Sequence, residues 1–262
     1  MDYVLSLSYG KDSLACLGAI EELGLPLHRI VHSEVWATDT IHADFPEMVE
    51  FKAKADKIIK ERYGIEVEHI RADKTYEEWF YHVKTVENKI TNKKRIGQIY
   101  GFPYRMGQWC NDRLKVGLLK KIKGIHYVGI AVDEPKRFHS LNAERISPLV
   151  EAGWTEEMCR KWCEKNDLLS PIYTQSSRGG CWFCHNQGID QLRLLRKNYP
   201  DLWSLLLKWD IDSPVSFKAD GHSVHDFDKR FQAEDDGFLF PDDSSFRWDC
   251  LNNGIQLRLF PP

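Results

Sequence analysis

A serine-rich turn follows a short apolar run at the N-terminus. Val4, Leu5 and Leu7 are typical of a buried strand, and an apolar segment over 14–20 predicts a helix. A turn between a strand and a helix binds anions, because free backbone N–H groups and the positive helix end face the ligand. The residues predicted to contact phosphate are Ser8, Tyr9, Gly10, Lys11, Asp12 and Ser13, with Lys11 as the added cation.

A Cys-x-x-Cys pair, Cys181 and Cys184, follows two glycines late in the chain. Two thiolates at this spacing can bind one metal centre, and a four-sulfur set would hold either zinc or a [4Fe–4S] cluster. No second Cys-x-x-Cys is present, so the remaining ligands must come from elsewhere. The predicted partners are Cys110 and Cys163, with Cys159 and His185 as alternatives. A redox pair and two packed thiols remain open as other interpretations.

Further charged residues follow predicted strands. Asp39 comes after the second strand, where it would bind Mg²⁺ or a ribose, or simply cap a turn; Asp12 is the other candidate for Mg²⁺. Guanidinium and ammonium groups that suit phosphate or sulfate oxygens, or else form a basic face in water, are Arg105, Arg113 and Lys115. Glu134 and Arg137 follow a later strand and are further candidates for the ligand site.

The elements that must position these residues alternate between strands and helices. Such alternation predicts an α/β fold with a parallel sheet, helices on both faces and ligands at the carboxyl ends of the strands. The predicted strands are 4–7, 29–33, 66–71 and 125–131, with an extended segment over 168–173. The predicted helices are 14–20, 46–63, 76–100, 154–166, a pair broken at 199–200, and 224–234. We predict a nucleotide-binding domain over 1–150, and a Cys-x-x-Cys helical region with an acidic tail packed on it over 151–262.

The composition favours a cytoplasmic protein with a packed core. The chain has 262 residues, 42% of them hydrophobic, without an apolar run of membrane-spanning length or a signal peptide. Its net charge of −3 is uneven: residues 89–123 carry ten Lys and Arg against one acid, and residues 210–249 carry eleven acids against four bases. The basic block either steers nucleic acid or is a solvated face that also serves nucleotide phosphates.

Several motifs together resemble a known family. Ser8-Tyr9-Gly10-Lys11-Asp12-Ser13 resembles the PP-loop, and Asp39-Thr40 followed by Phe45-Pro46-Glu47 is similar to a stretch of sulfonucleotide reductases. Three further motifs follow in order along the chain: Cys110 with Lys115, Gly129 with Asp133-Glu134, and the Cys-x-x-Cys pair. Over roughly residues 3–190, the chain resembles the phosphoadenosine phosphosulfate (PAPS) reductase-like family of PP-loop ATP pyrophosphatases, which have a Rossmann-like adenine nucleotide α-hydrolase fold. It departs from true reductases in lacking their C-terminal Glu-Cys-Gly-Leu-His tail.

The resemblance implies an enzyme that binds ATP or adenosine phosphosulfate with Mg²⁺. It would adenylate a substrate such as a nucleic acid, release pyrophosphate and transfer sulfur from a donor protein such as a cysteine desulfurase. Lys11, Asp12 and Asp39 would be catalytic, and relatives with clusters favour [4Fe–4S] over zinc. The alternatives are a sulfonucleotide reductase and a non-catalytic nucleotide- or nucleic-acid-binding subunit with structural zinc. The oligomeric state stays open.

Overall fold

The structure is a computed structural model of the chain. The structure describes residues 1–85, 96–103, 108–139, 141, 144–174 and 179–238. The prediction for Arg105, and that for the acidic tail beyond residue 238, lie outside these residues.

A parallel sheet with the strand order β3-β2-β1-β4-β5 is flanked by helices, which confirms the predicted α/β class. The strands are β1 (Tyr3–Leu7), β2 (Arg29–Glu34), β3 (Val67–Arg71), β4 (Ile125–Tyr127) and β5 (Arg145–Ile146). Leu5 in β1 lies opposite Ile30 on one side and Tyr127 on the other. The chain continues from β1 to β2 on one side and returns to β4 on the other, so the strand order reverses at β1. Ligands of doubly wound folds bind outside the carboxyl ends of the strands at such a point.

Helix boundaries in the structure follow local capping signals. The α-helices are α1 (Lys11–Leu23), α2 (Pro46–Tyr63), α3 (Tyr76–Phe80), α4 (Trp109–Asn111), α5 (Gly117–Leu119), α6 (Pro135–Phe138), α7 (Pro148–Glu151), α8 (Glu156–Lys165), α9 (Ile189–Asn198), α10 (Pro200–Asp212) and α11 (Val224–Asp235). A π-helix spans Asp112–Val116 and a 3-10 helix spans Pro171–Thr174. Pro46 opens α2 at a position that needs no N–H donor, and Gly64 ends it at a φ of 68°. The predicted break at Tyr199-Pro200 is present between α9 and α10.

The chain divides into two compact units, one of Met1–Trp79 with Trp109–Cys181 and the other of Phe80–Gln108 with Trp182–Pro262. This division differs from the predicted boundary at residue 150. The reason is that α8 belongs to the core of the first unit, where Cys159 and Cys163 are fully buried with Cys16 of α1. Burial of that apolar face ties residues well beyond 150 to the sheet domain.

The second unit is built on aromatic packing among its helices. The indole rings of Trp182 and Trp209 stack with centroids 5.5 Å apart, and Phe80 stacks on Trp209 at 5.8 Å. Lys218 donates hydrogen bonds to the carbonyl oxygens of His185 and Gln187, which fixes the turn after Cys184. Such large buried rings supply much of the apolar burial of a small unit.

Two predicted segments differ in the structure. The helix predicted over 76–100 ends at Phe80, because Val83 and Ile99 pair as an antiparallel bridge and Tyr100 N–H donates to the His82 carbonyl at 3.0 Å. The segment 168–173 is not extended throughout, since a 3-10 turn begins at Pro171. No helix in the described ranges is both long enough and apolar enough to cross a membrane.

Candidate nucleotide site

The turn between β1 and α1 is held by its two serines. Ser13 Oγ accepts hydrogen bonds from the Ser8 N–H at 3.1 Å and the Ser8 hydroxyl at 3.0 Å, and donates to the Gly10 carbonyl at 3.0 Å. Gly10 is the N-cap of α1 and has no side chain to cover the first N–H groups. The Lys11 N–H donates to the Tyr173 hydroxyl at 3.1 Å, so an oxygen already lies where a helix start binds anions.

Tyr9 occupies the centre of this turn with a positive φ of 56° and is fully buried. Its hydroxyl donates to Asp56, which His69 also contacts at 2.9 Å, and its ring edge packs on His32. Burial and the Asp56 carboxylate raise the pKa of Tyr9 far above its usual value, so the phenol stays protonated. The turn is therefore fixed in a conformation that an L-residue rarely adopts.

The Lys11 ammonium is engaged in ion pairs with acids of α1 and α8. It lies 2.7 Å from Asp12 and 2.7 Å from Glu156. Burial alone would lower the pKa of Lys11, but the bonds to these two carboxylates outweigh it and raise the pKa. Burial raises the pKa of Asp12 despite the pairing with Lys11. The cation that the sequence assigns to phosphate is thus directed toward two carboxylates.

A cavity of about 500 Å³ opens at the carboxyl ends of β1, β2 and β4. The residues predicted for the site that line this cavity are Ser8, Tyr9, Gly10, Asp12, Ser13, Lys115, Arg137 and Cys181. Its size and position fit a nucleotide-sized ligand at the switch point of the sheet.

Other predicted residues lie outside the lining of this cavity in the described part of the chain. Asp39 is exposed, Arg113 stacks 4.6 Å from the ring of Trp79, and Glu134 accepts from Arg137 at 2.6 Å. Glu134 thereby orients an arginine that does line the cavity. The roles assigned to Asp39 and Arg113 stay predictions.

Three polar side chains that line the cavity, those of His32, Lys52 and Asp44, are hydrogen-bonded to one another in sequence. His32 Nδ1 donates to the Leu7 carbonyl at 2.9 Å, so its Nε2 has a lone pair that accepts from the Lys52 ammonium at 2.9 Å. Lys52 also contacts Asp44 at 2.5 Å, and its nitrogen lies 5.2 Å from the centre of the Tyr9 ring. Burial and the neighbouring Lys52 lower the pKa of His32 to about 3, which keeps the imidazole neutral.

Acid is expected to destabilise the protein through His32. The pKa of His32 is lower in the folded than in the unfolded chain, so the unfolded chain binds the extra proton and stability falls as pH drops below about 6.5. Between pH 7 and pH 5 this group alone should remove about 2 kcal/mol from the free energy of unfolding. Urea denaturation at both pH values measures the loss.

A His32→Gln variant is the control for this measurement, because its amide oxygen can accept from Lys52 without titrating. The pKa of His69 is raised by its bond to Asp56 and acts in the opposite direction, and this contribution is common to both proteins. An equal pH dependence in the two proteins would contradict the assignment to His32.

The cysteines predicted as metal ligands lie in different surroundings. Cys163 is fully buried, and its thiol donates to the Lys11 carbonyl at 3.2 Å. Cys110 is half-buried on α4, Cys181 lines the cavity and Cys184 is half-buried in the second unit. Burial raises the pKa of Cys163, and raises that of Cys159 to about 12. Within the described ranges, no three His, Cys, Asp or Glu residues form a group that could hold a metal ion. The four-cysteine centre stays a prediction.

The structure adds cavity residues that the sequence analysis did not select. Among them are His32, Asp44, Lys52 and Tyr173. A signal for Lys52 is present in α2, since Met48, Lys52, Ala55 and Ile59 share the helical spacing of a buried face. A lysine on such a face is unusual unless it has partners or a ligand.

The fold and the site define an α/β domain whose serine-rich turn, between β1 and α1, lines a cavity at the switch point of a parallel sheet. No protein-family model and no curated protein matches the sequence. Among solved structures, the chain is similar to the U34-tRNA thiolase NcsA from Methanococcus maripaludis with its [4Fe-4S] cluster. The TM-score is 0.36 and the identity 13%, over 88% of this chain and 72% of that chain. A likeness this distant does not establish shared chemistry.

Proposed function

We propose that the chain is a PP-loop ATP pyrophosphatase-like enzyme that adenylates a substrate for sulfur transfer. The observation that carries the proposal is one cavity lined both by the Ser8–Ser13 turn and by Cys181. The turn supplies hydroxyls and a helix start suited to phosphate, and Cys181 places a thiol at the same site. The motif order in the sequence points to the same superfamily, and the PAPS reductase-like assignment rests on those motifs alone.

In this proposal an oxygen of the acceptor attacks the α-phosphorus of ATP. The bond between that phosphorus and the oxygen that bridges to the β-phosphate breaks, and pyrophosphate leaves. A sulfur nucleophile then displaces AMP, which departs with the acceptor oxygen. The Ser8 and Ser13 hydroxyls and the Arg137 guanidinium would stabilise the phosphate oxygens by position and charge.

Asp12 is the predicted carboxylate that fits Mg²⁺ better, because it lines the cavity whereas Asp39 is exposed. Mg²⁺ in nucleotide sites uses one or two carboxylates together with substrate phosphates, and it would neutralise charge on the departing pyrophosphate. Within the described residues no three His, Cys, Asp or Glu side chains lie together as metal ligands, so no step is assigned to an iron–sulfur cluster.

The acceptor is proposed to be a nucleic acid, with a sulfur-donor protein as partner. The support is the basic block of residues 89–123, whose described part includes exposed Arg113 and Lys120. Nucleic-acid binding by this block should weaken steeply with salt, because neutralised phosphates release counterions.

Ser13→Ala should lower the affinity for ATP about tenfold, because the hydroxyl that links Ser8 to Gly10 is lost. Isothermal titration calorimetry measures this, with Ser204→Ala as the control, since Ser204 donates to Pro200 on α10 in the second unit. Equal ATP affinity in wild type and Ser13→Ala would contradict the phosphate role of the turn.

Pyrophosphate release from ATP with total RNA and sulfide tests the reaction itself. Sulfite release from adenosine phosphosulfate with a thiol reductant would instead identify a sulfonucleotide reductase. Nucleotide binding without either product would favour a binding subunit.

A further inference from the structure

We propose that Lys52, alongside Arg137 at the same cavity, supplies the positive charge for phosphate that the turn motif assigns to Lys11. The inference rests on the proposed function, because it assumes that the ligand is an adenine nucleotide with a phosphate chain. It names a residue of α2 that lies outside the PP-loop motif.

The two lysines are placed differently relative to the cavity. The ammonium of Lys11 lies between Asp12 and Glu156, and Lys11 is not among the described residues that line the cavity. Lys52 does line it, together with Ser8 and Gly10. Its nitrogen lies 5.2 Å from the ring of Tyr9, which is the residue before Gly10. Lys52 therefore brings a positive charge to the underside of the anion-binding turn.

Lys52 is a buried lysine. The residue is 7% exposed on the apolar face of α2, where an ammonium is costly unless it is paired or binds a ligand. Its two short contacts are to His32 Nε2 and Asp44. An ammonium has three N–H donors, so these contacts leave it with a further donor.

The two contacts of Lys52 position its ammonium in different ways. His32 is fixed by the Leu7 carbonyl as a neutral acceptor, so it positions the ammonium without neutralising it. Asp44 balances the charge of the Lys52 ammonium and would compete with a phosphate for it. His32 belongs to β2, and Asp44 belongs to the loop after it. These two contacts therefore fix the position of the ammonium relative to the sheet.

The test compares affinities for ATP and for adenosine by calorimetry. Lys52→Gln should lower ATP affinity about tenfold or more, as expected for a lost bond to a charged group, and leave adenosine affinity unchanged. Lys54→Gln is the matched control, because Lys54 is exposed on the same helix and pairs with Asp167. Lys11→Gln should lower ATP affinity less than Lys52→Gln does.

Asp44→Asn is the second variant, and it keeps the proposal testable if Lys52→Gln does not fold. The substitution preserves the shape of the side chain and removes its charge. Removing the competing carboxylate should tighten ATP binding about threefold or more and leave adenosine affinity unchanged. Equal losses for ATP and adenosine in Lys52→Gln, or an unchanged ATP affinity in either variant, would overturn the inference. A wild-type protein that binds no ATP would instead contradict the proposed function.

Discussion

Gly129→Ala is expected to damage the nucleotide site more than any other single-methyl change at the cavity. A Cβ at this position would lie 2.5 Å from the Ser13 backbone nitrogen and 2.7 Å from the Asp12 carbonyl carbon. Both contacts are with backbone of the first turn of α1, which cannot rotate away as a side chain would. The loop after β4 and the start of α1 must therefore separate.

The expected loss of stability in Gly129→Ala is roughly 1–3 kcal/mol, as for other overpacked sites. ATP affinity should fall about 10- to 100-fold, because the turn that carries Ser8 and Ser13 is displaced. Urea denaturation and calorimetry measure the two effects separately.

Gly179→Ala is the matched control for this change. Gly179 lines the same cavity, but a Cβ there meets nothing within 4 Å. This variant should keep wild-type stability and ATP affinity within about 0.5 kcal/mol. If Gly129→Ala behaves like Gly179→Ala, the close approach between the β4 loop and α1 is not important for the site.

The sequence predicted the elements whose signals are local. An apolar run identifies β1, and helix α2 begins at Pro46 and ends before Gly64 as the spacing predicts. The polar segment 76–100 carries no comparable signal, and among its described residues the helix covers only Tyr76–Phe80. The pairing of Val83 with Ile99 depends on a contact across the intervening chain, which periodicity does not reveal.

The site shows the same distinction between local and distant information. The Ser8–Ser13 turn could be predicted because its residues are adjacent in sequence. The direction of the Lys11 side chain could not, because it depends on Glu156, a residue of α8 that is 145 positions away. Likewise, Lys52 meets His32 only once α2 packs on the sheet. Side-chain partners distant in sequence decide that Lys52, and not Lys11, lines the cavity.

Substitutions at Tyr9 are expected to reverse the usual order of alanine and glycine. Tyr9 has a φ of 56°, where an L-residue costs roughly 1–2 kcal/mol and glycine does not. Tyr9→Ala and Tyr9→Gly both remove a fully buried ring and its bond to Asp56. Each should lose about 3–5 kcal/mol, with the glycine variant the more stable by about 1 kcal/mol.

The matched control for Tyr9 is Tyr76, which is 1% exposed and lies at the start of helix α3. At a helical φ, Tyr76→Ala should be more stable than Tyr76→Gly by about 0.5–1 kcal/mol, the normal order. Urea denaturation of the four variants gives both differences in one experiment. If Tyr9→Ala is instead more stable than Tyr9→Gly, the turn relaxes when the ring is removed. The positive φ would then be maintained by the Tyr9 side chain and its contacts with Asp56 and His32, not by the backbone path from β1 into α1.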